Sequence, residues 1–388
     1  MERKIGQITL YNYNYGSALQ CFATQQVVQE LKYSCVLFRQ RVKNKKLYQL
    51  FYFLTASVQM VLHPTDAIEF MRMMKAKRKT ALSALKENDF QGIQKFIEED
   101  ICSVEATYRQ MKRASHTDEY TAFLSGSDQV WNGSWFLRND AYFLKFAPPG
   151  KRIAWAPSFG IDHVASYNCR RFAKDIASYR HLSVREKSGV QIIKQLTGQT
   201  AVQVIDPVLL LTAQQWRVLY QKKATTKVLS KPYVFFYFLN EPSSYVLDYL
   251  DRCIADGLPI VAFASNYDCL KKRKHVIFEG GSPWNYLMLL DGAAEVCSDS
   301  YHALAFSLLF HKKMCIFRRN YLHSSDQSER ITSIMSQLGI QNRFIQKEWR
   351  PEDFKEPIPF EKIDQVLWEE RSQAKEFLKK ALEECEQV

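Results

Sequence analysis

The sequence predicts an α/β protein built from two successive open-sheet units, with a closing helix that packs across both. Three observations carry this expectation. Short apolar runs alternate with stretches of helical periodicity along most of the chain. Many of those runs stop abruptly at small or polar residues, as strands do where a ligand crevice opens at their carboxyl ends. Between Thr212 and Lys231 the composition turns polar and basic, which divides the pattern in two. The expected units are 1–220, carrying a basic helical insertion at about 39–113, then 221–350, then a C-terminal segment 351–388.

Composition bounds the function. With 388 residues, 46% of them hydrophobic, and only 14 Gly and 12 Pro, the chain is long and apolar enough for two cores and is neither disordered nor fibrous. Its nine cysteines are scattered singly and form no CxxC pair, the pattern of reduced thiols in a cytosolic protein. The opening MERKIGQITL enters a strand without the apolar core of a signal peptide, so a protein kept inside the cell is expected. A net charge of +12 calls for acidic partners. The excess is local: ten Lys or Arg face only Asp66 and Glu69 between Arg39 and Lys79. With the charge so concentrated and no recognised module beside it, nucleic acid is not the expected partner.

Lys4 to Leu10 reads as the first strand. In the following helix Ala18, Leu19, Phe22, Gln26 and Leu31 fall near helical spacing, and Gly16 and Ser17 open it. Asn14 and Tyr15 are then expected at the crevice, although an ordinary βα turn uses Asn and Gly for backbone reasons alone. Ser34 to Phe38 is the second strand. The run Leu47 to Leu62, flanked by RQRVKNKK and RMMKAKRK, is too short and interrupted for a membrane span. It reads either as a solvated helical insertion or as an interfacial helix on an anionic membrane.

Tyr120 to Leu124 is a strand running into Gly126, Ser127, Asp128 and Gln129; Ile153 to Pro157 is another, ending in Ser158, Phe159 and Gly160. Small and polar residues there let a ligand approach backbone and supply hydroxyl and carboxylate contacts. Trp131 and Trp135 are more suited to packing. His181 to Val184 is a strand ending at Arg185 and Glu186, and Ala201 to Ile205 one ending at Asp206. An arginine so placed can grip a carboxylate or phosphate, or pair structurally with Asp206 or Glu186.

The second unit begins at the strand YVFFYFLN. It continues through helix Ser244 to Asp256, strands Pro259 to Ala264 and Val276 to Glu279, and helix Trp284 to Leu290. Next come a strand at Ala294 to Cys297, the polar trio Ser298, Asp299, Ser300, a helix from Tyr301 to about Phe310, and a strand Met314 to Phe317. The trio supplies good N-cap types, and His302 falls in the first helical turn, where the dipole favours an anion. An imidazole there suits acid–base chemistry on a phosphorylated substrate, or else it is a half-buried histidine behind a cap. The final segment places Ile363, Val366, Leu367, Ala374, Phe377, Leu378, Ala381 and Leu382 on one helical stripe. No glycine-rich nucleotide loop, HExxH, CxxC or GxSxG sequence occurs, so no metal, nucleotide or hydrolase motif is read.

Taken together, NYNYGSALQ (12–20), GSDQVWN (126–132), SFG (158–160), SVRE (183–186), DPVLLL (206–211) and SDSYHALAFSLLFHKK (298–313) resemble the polysaccharide pyruvyl transferase family. The resemblance implies two Rossmann-like domains facing across a cleft, similar to B-type glycosyltransferases. It implies transfer of a pyruvyl group from phosphoenolpyruvate, as co-substrate and without a further cofactor, to a sugar hydroxyl pair of a bacterial surface-glycan precursor. On that basis His302 is the expected proton donor and Arg185 the grip on carboxylate or phosphate. Ser300, Tyr301 and the helix end would hold phosphate oxygens. Asp128, with Ser127 and Asn14, would meet the acceptor sugar or act as base, and Tyr15, Gly16, Gln129 and Ser158 complete the substrate contacts. The sequence departs from the family pattern at two points. Many relatives have glycine directly after the histidine, where this chain has Ala303. Relatives carry Arg-Leu-His where this chain has Ser300-Tyr301-His302, so Arg185, Arg330 or Arg343 is expected to stand in for the arginine. The acceptor is expected to be lipid-linked, with the protein peripheral at the cytoplasmic face. The alternatives are a B-type glycosyltransferase using a nucleotide sugar and a non-catalytic glycan-binding relative.

Overall fold

The computed structural model describes residues 3–12, 14–41, 54, 57–58, 60–64, 68, 71, 87–134, 139–320 and 328–387. Two parallel sheets organise them. The first holds β1 Lys4–Ile8, β2 Ser34–Gln40, β3 Ser103–Ala106, β4 Tyr120–Ser125, β5 Arg152–Ala154, β6 His181–Val184 and β7 Val202–Gln203, in the order β3-β2-β1-β4-β5-β6-β7. The second holds β8 Val234–Tyr237, β9 Ile260–Phe263, β10 Val276–Glu279, β11 Glu295–Ser298, β12 Lys313–Phe317 and β13 Phe344–Ile345, in the order β10-β9-β8-β11-β12-β13. Each order reverses direction after its first strand, the Rossmann arrangement, so each sheet has a switch-point crevice: β1/β4 in the first, β8/β11 in the second.

The central strands are buried on both faces, and their sequences are continuous apolar runs for that reason. Val234, Phe235, Phe236 and Tyr237 of β8 are all buried, as are Val296 and Cys297 of β11. The edge strand β3 is the opposite case: Val104 and Glu105 are exposed, and no apolar periodicity announces it.

One buried apolar cluster runs through both domains. Tyr15 of the first domain stacks on Tyr286 of the second, 5.5 Å apart and 5° from parallel, and meets Tyr237 and Phe263 edge-on. Its hydroxyl donates to Asp89 Oδ1 at 3.0 Å, and Asp89 also accepts the Gly281 N–H at 3.1 Å. Asp89 lies on helix Glu87–Asp100, which the second domain approaches at backbone distance: a Cβ on Gly92 would sit 2.3 Å from the Gly281 carbonyl oxygen.

The closing helix, Phe360–Cys385, packs across the two domains, as its stripe predicts. Phe377 stacks on Trp155, Arg371 Nε donates to the Leu209 carbonyl at 2.6 Å, and Lys375 pairs with Glu30 in the first domain. Asp364 meets His311 and Glu370 accepts from Gln337 in the second. All nine cysteines are thiols. Most of the basic stretch 39–79, Trp135 and Tyr13 lie outside the described residues. Among the described residues no helix is long and apolar enough to cross a membrane.

Candidate active site

The four strands flanking the two crevices deliver most of the candidate residues. After β4 the chain turns through Gly126 at φ +111°, where a Cβ would meet the Trp155 carbonyl oxygen at 2.3 Å. That close approach allows only glycine, and it sends Ser127 and Asp128 into the crevice. Asp128 itself holds a left-handed φ of +65°, fixed by Val130 and Ser158 N–H groups on its carbonyl, each at 2.8 Å. In the second domain Asp299 closes the β8/β11 crevice. Its carboxylate accepts from Leu239 N at 2.8 Å, Asn240 N at 3.3 Å and Arg319 Nε at 3.1 Å. Burial nonetheless raises its pKa against the pull of Arg319 and those N–H groups.

Helix Tyr301–Leu309 starts from this anchor. Ser300 occupies the N-cap but its side chain makes no capping bond. His302, in the first turn, is packed against the helix Tyr15–Glu30 of the opposite domain: a Cβ on Gly16 would lie 2.1 Å from His302 Nδ1. Gly16 is therefore required by contact with the imidazole, and it joins the NYG motif to the histidine across the domain boundary.

Around His302 the structure assembles a buried ionic centre. Arg185 Nη2 lies 2.8 Å from Asp206 Oδ2 and donates to the Ser127 hydroxyl; His302 Nε2 is 3.6 Å from the same Asp206 oxygen. Arg330, from helix Glu329–Leu338, pairs with Asp128 Oδ1 at 3.1 Å. The two guanidinium carbons stand 5.1 Å (Arg185) and 5.5 Å (Arg330) from the Tyr301 ring centre. Burial works against charge on Asp206, but Arg185, His302 and the Val208 N–H outweigh it and hold the carboxyl at about 2. Burial also opposes the Arg185 cation, yet Asp206, Tyr301, Asp128 and Glu186 hold its pKa above the ordinary value. For Arg330 burial prevails over Asp128 and its pKa is lowered. Despite these pairs, Arg185 Nε and Nη1, Arg330 Nε and His302 Nε2 are buried without a hydrogen-bond partner among the described residues. Such groups are costly unless something accepts from them.

Several expected contacts fall elsewhere. Tyr15 does not face the crevice, because the helix turns its ring into the shared aromatic core described above. Asn14 serves as the helix cap, its Oδ1 accepting Ser17 N at 3.0 Å. Ser158 is engaged in support: its hydroxyl donates to Glu186 Oε1 at 3.1 Å, beside the Phe159 and Gly160 N–H groups at 2.6 and 3.1 Å. Gln129 packs on Gly160, whose Cβ position would be 1.8 Å from its amide nitrogen. Arg343 lies elsewhere, on the Glu356 carbonyl and the Phe354 ring, whereas Arg185 and Arg330 flank Tyr301. Arg319 and Asp299 form an anchor that the sequence reading did not assign. The signal was present as two arginines directly after an apolar strand.

Fold and centre together define a two-domain Rossmann-type α/β protein whose polar site is assembled from both domains. Residues 14–321 match the family model of polysaccharide pyruvyl transferases, and the chain belongs to that family. In overall fold it is similar to the UDP-GlcNAc 2-epimerase of Neisseria meningitidis, with 9% identity over 96% of this chain and 94% of that one and a TM-score of 0.47. It is similar also to the wall teichoic acid polymerase TagF (10% identity, 97% and 82% covered, TM-score 0.44). A third similar structure is the glycosyltransferase SnogD of Streptomyces nogalater (10%, 97% and 96%, 0.41). No curated protein matches the sequence.

Proposed function

We propose that the chain transfers the pyruvyl group of phosphoenolpyruvate to two hydroxyls of one sugar in a surface-glycan precursor. One observation carries this reading: two buried guanidiniums with N–H groups that have no acceptor among the described residues converge, beside the imidazole of His302, on the start of helix Tyr301–Leu309, whose N-cap side chain makes no capping bond. A small, dense anion satisfies such a set, because guanidiniums match carboxylate and phosphate geometry and the helix end adds N–H donors.

His302 then protonates the methylene carbon, and positive charge builds at the neighbouring carbon. A sugar hydroxyl attacks that carbon and passes its proton to Asp128. The carbon–oxygen bond to phosphate breaks, and the phosphate leaves against Arg185 and Arg330. The second hydroxyl closes the ketal and passes its proton to His302, which is thereby restored to its protonated form. Arg330 takes the place of the arginine that relatives carry beside the histidine.

The test is phosphate release from phosphoenolpyruvate in the presence of lipid-linked sugar acceptors. Release that depends on acceptor is expected. Release of nucleoside diphosphate from a nucleotide sugar instead, with phosphoenolpyruvate inert, overturns the reading.

We further place the protein at the cytoplasmic face of a membrane, where lipid-linked glycans are built. Leu54, Val58 and Val61 are exposed at i, i+4, i+7 spacing within the basic stretch, as an interfacial helix requires. Co-sedimentation with anionic liposomes is expected, and its loss on deleting 42–80. Equal partitioning of both forms leaves the stretch a solvated face.

A further inference from the structure

A second concavity, of about 620 Å³, opens between the domains beside the ionic centre. One wall is Lys187 and Gln203 of the first domain; the other is a stripe on helix Glu329–Leu338 formed by Glu329, Thr332, Ser333 and Ser336. These positions repeat at i, i+3, i+4 and i+7, so they form one polar face, while Ile331, Ile334, Met335 and Leu338 on the opposite face are buried. Gln337, at the far end, donates to Glu370 of the closing helix at 2.6 Å and ties the groove to it.

Both walls lead straight to the charged centre. Lys187 follows Arg185 and Glu186 in the chain, and the Gln203 amide reaches the Arg185 carbonyl at 3.5 Å. Glu329 precedes Arg330, which holds Asp128. We infer that this groove binds the non-reacting sugar units of the acceptor glycan. The inference rests on the proposed function only in taking the acceptor to be a saccharide.

The chemistry of the lining chooses the ligand class. Among the described residues it offers hydroxyls, amides and one charge of each sign, and neither an aromatic platform for a base nor an aliphatic wall for a lipid chain. Polyhydroxylated rings present donors and acceptors all round and suit such a surface. The volume is within the range of small-molecule sites, about 300–1,000 Å³. The polar stripe from Glu329 to Gln337 rises about 12 Å along the helix, long enough for more than one ring.

The test uses saturation-transfer difference NMR with cellobiose and N,N′-diacetylchitobiose as probes, on the whole protein and on Ser333→Trp, which fills the groove. Phosphoenolpyruvate binding is followed in parallel by phosphorus NMR. Saturation transfer to a disaccharide is expected from the wild type and about tenfold less from the variant, with phosphoenolpyruvate binding equal in both. Equal transfer from both proteins, or none from the wild type to either probe, overturns the groove assignment. Failure of the wild type to bind phosphoenolpyruvate overturns the pyruvyl reading and leaves the groove result standing. If Ser333→Trp does not fold, Ser336→Tyr at the more exposed part of the stripe carries the same two outcomes.

Discussion

Replacing His302 by alanine is expected to lower turnover by about 10²–10⁴-fold, the usual contribution of a positioned proton donor. The fold should persist. The ring lies at the junction of two helices, and its loss opens a small gap next to Gly16 without orphaning a main-chain group. A cost of about 1–2 kcal/mol, seen as a modest drop in melting temperature, is expected. His302→Gln keeps most of the volume and none of the acidity, so it should match alanine in turnover and the wild type in stability. Turnover within about tenfold of wild type in either variant removes His302 from the proton-donor role. Gly16→Ala sharpens the test. Helix propensity favours alanine by about 1 kcal/mol, but the new methyl would lie 2.1–2.6 Å from three atoms of His302. The imidazole has to move, and activity should fall even where the helix itself is strengthened.

Asp206→Asn is expected to be the most destabilising single change in the centre. It leaves Arg185 buried beside a neutral amide, and breaking a buried pair in this way costs about 3–5 kcal/mol. The pH dependence has a definite sign. The Asp206 carboxyl is held at about 2 in the folded protein against 3.8 ordinarily. Its stabilisation is therefore complete above the ordinary value and is lost as pH falls from about 4 towards 2, by on the order of 2 kcal/mol. Glu186 and Asp299, raised by burial, contribute with the opposite sign. The diagnostic quantity is thus the difference between wild-type and Asp206→Asn melting temperatures, which should shrink across that window. A constant difference down to pH 2 would mean that Asp206 is not the ion that holds Arg185.

Much of the fold was legible because apolar runs bounded by polar residues mark buried parallel strands. His181–Val184 and Val276–Glu279 coincide with their predicted spans. Helix Ser244–Ala255 and helix Tyr301–Leu309 differ from theirs by a residue. Elements lacking that contrast were missed. The edge strand Ser103–Ala106 is half exposed, and the helices Ser166–Ile176 and Glu329–Leu338 carry too many polar residues to stand out. Site residues were legible where a motif follows a strand, as at Arg185 and His302. The Arg185–Asp206 pair was one of the readings open for that arginine; that the same carboxylate also meets His302 was not, because nothing in spacing brings the second domain's helix to it. Tyr15 was misplaced for a related reason. Its neighbours line the turn, but the helical rotation that caps on Asn14 carries its ring into the other domain's aromatic cluster.

That ring has a mechanical consequence. With Tyr15 riveted between Tyr286, Tyr237 and Phe263, and the backbone of Gly92 lying against that of Gly281, the halves are fastened there by an interlocked seam. Wide rotation of one half against the other would tear this seam open, which a large apolar junction resists. Ligand exchange is accordingly expected to rely on small excursions of the segments that border the ionic centre, with the contact between Gly16 and His302 kept.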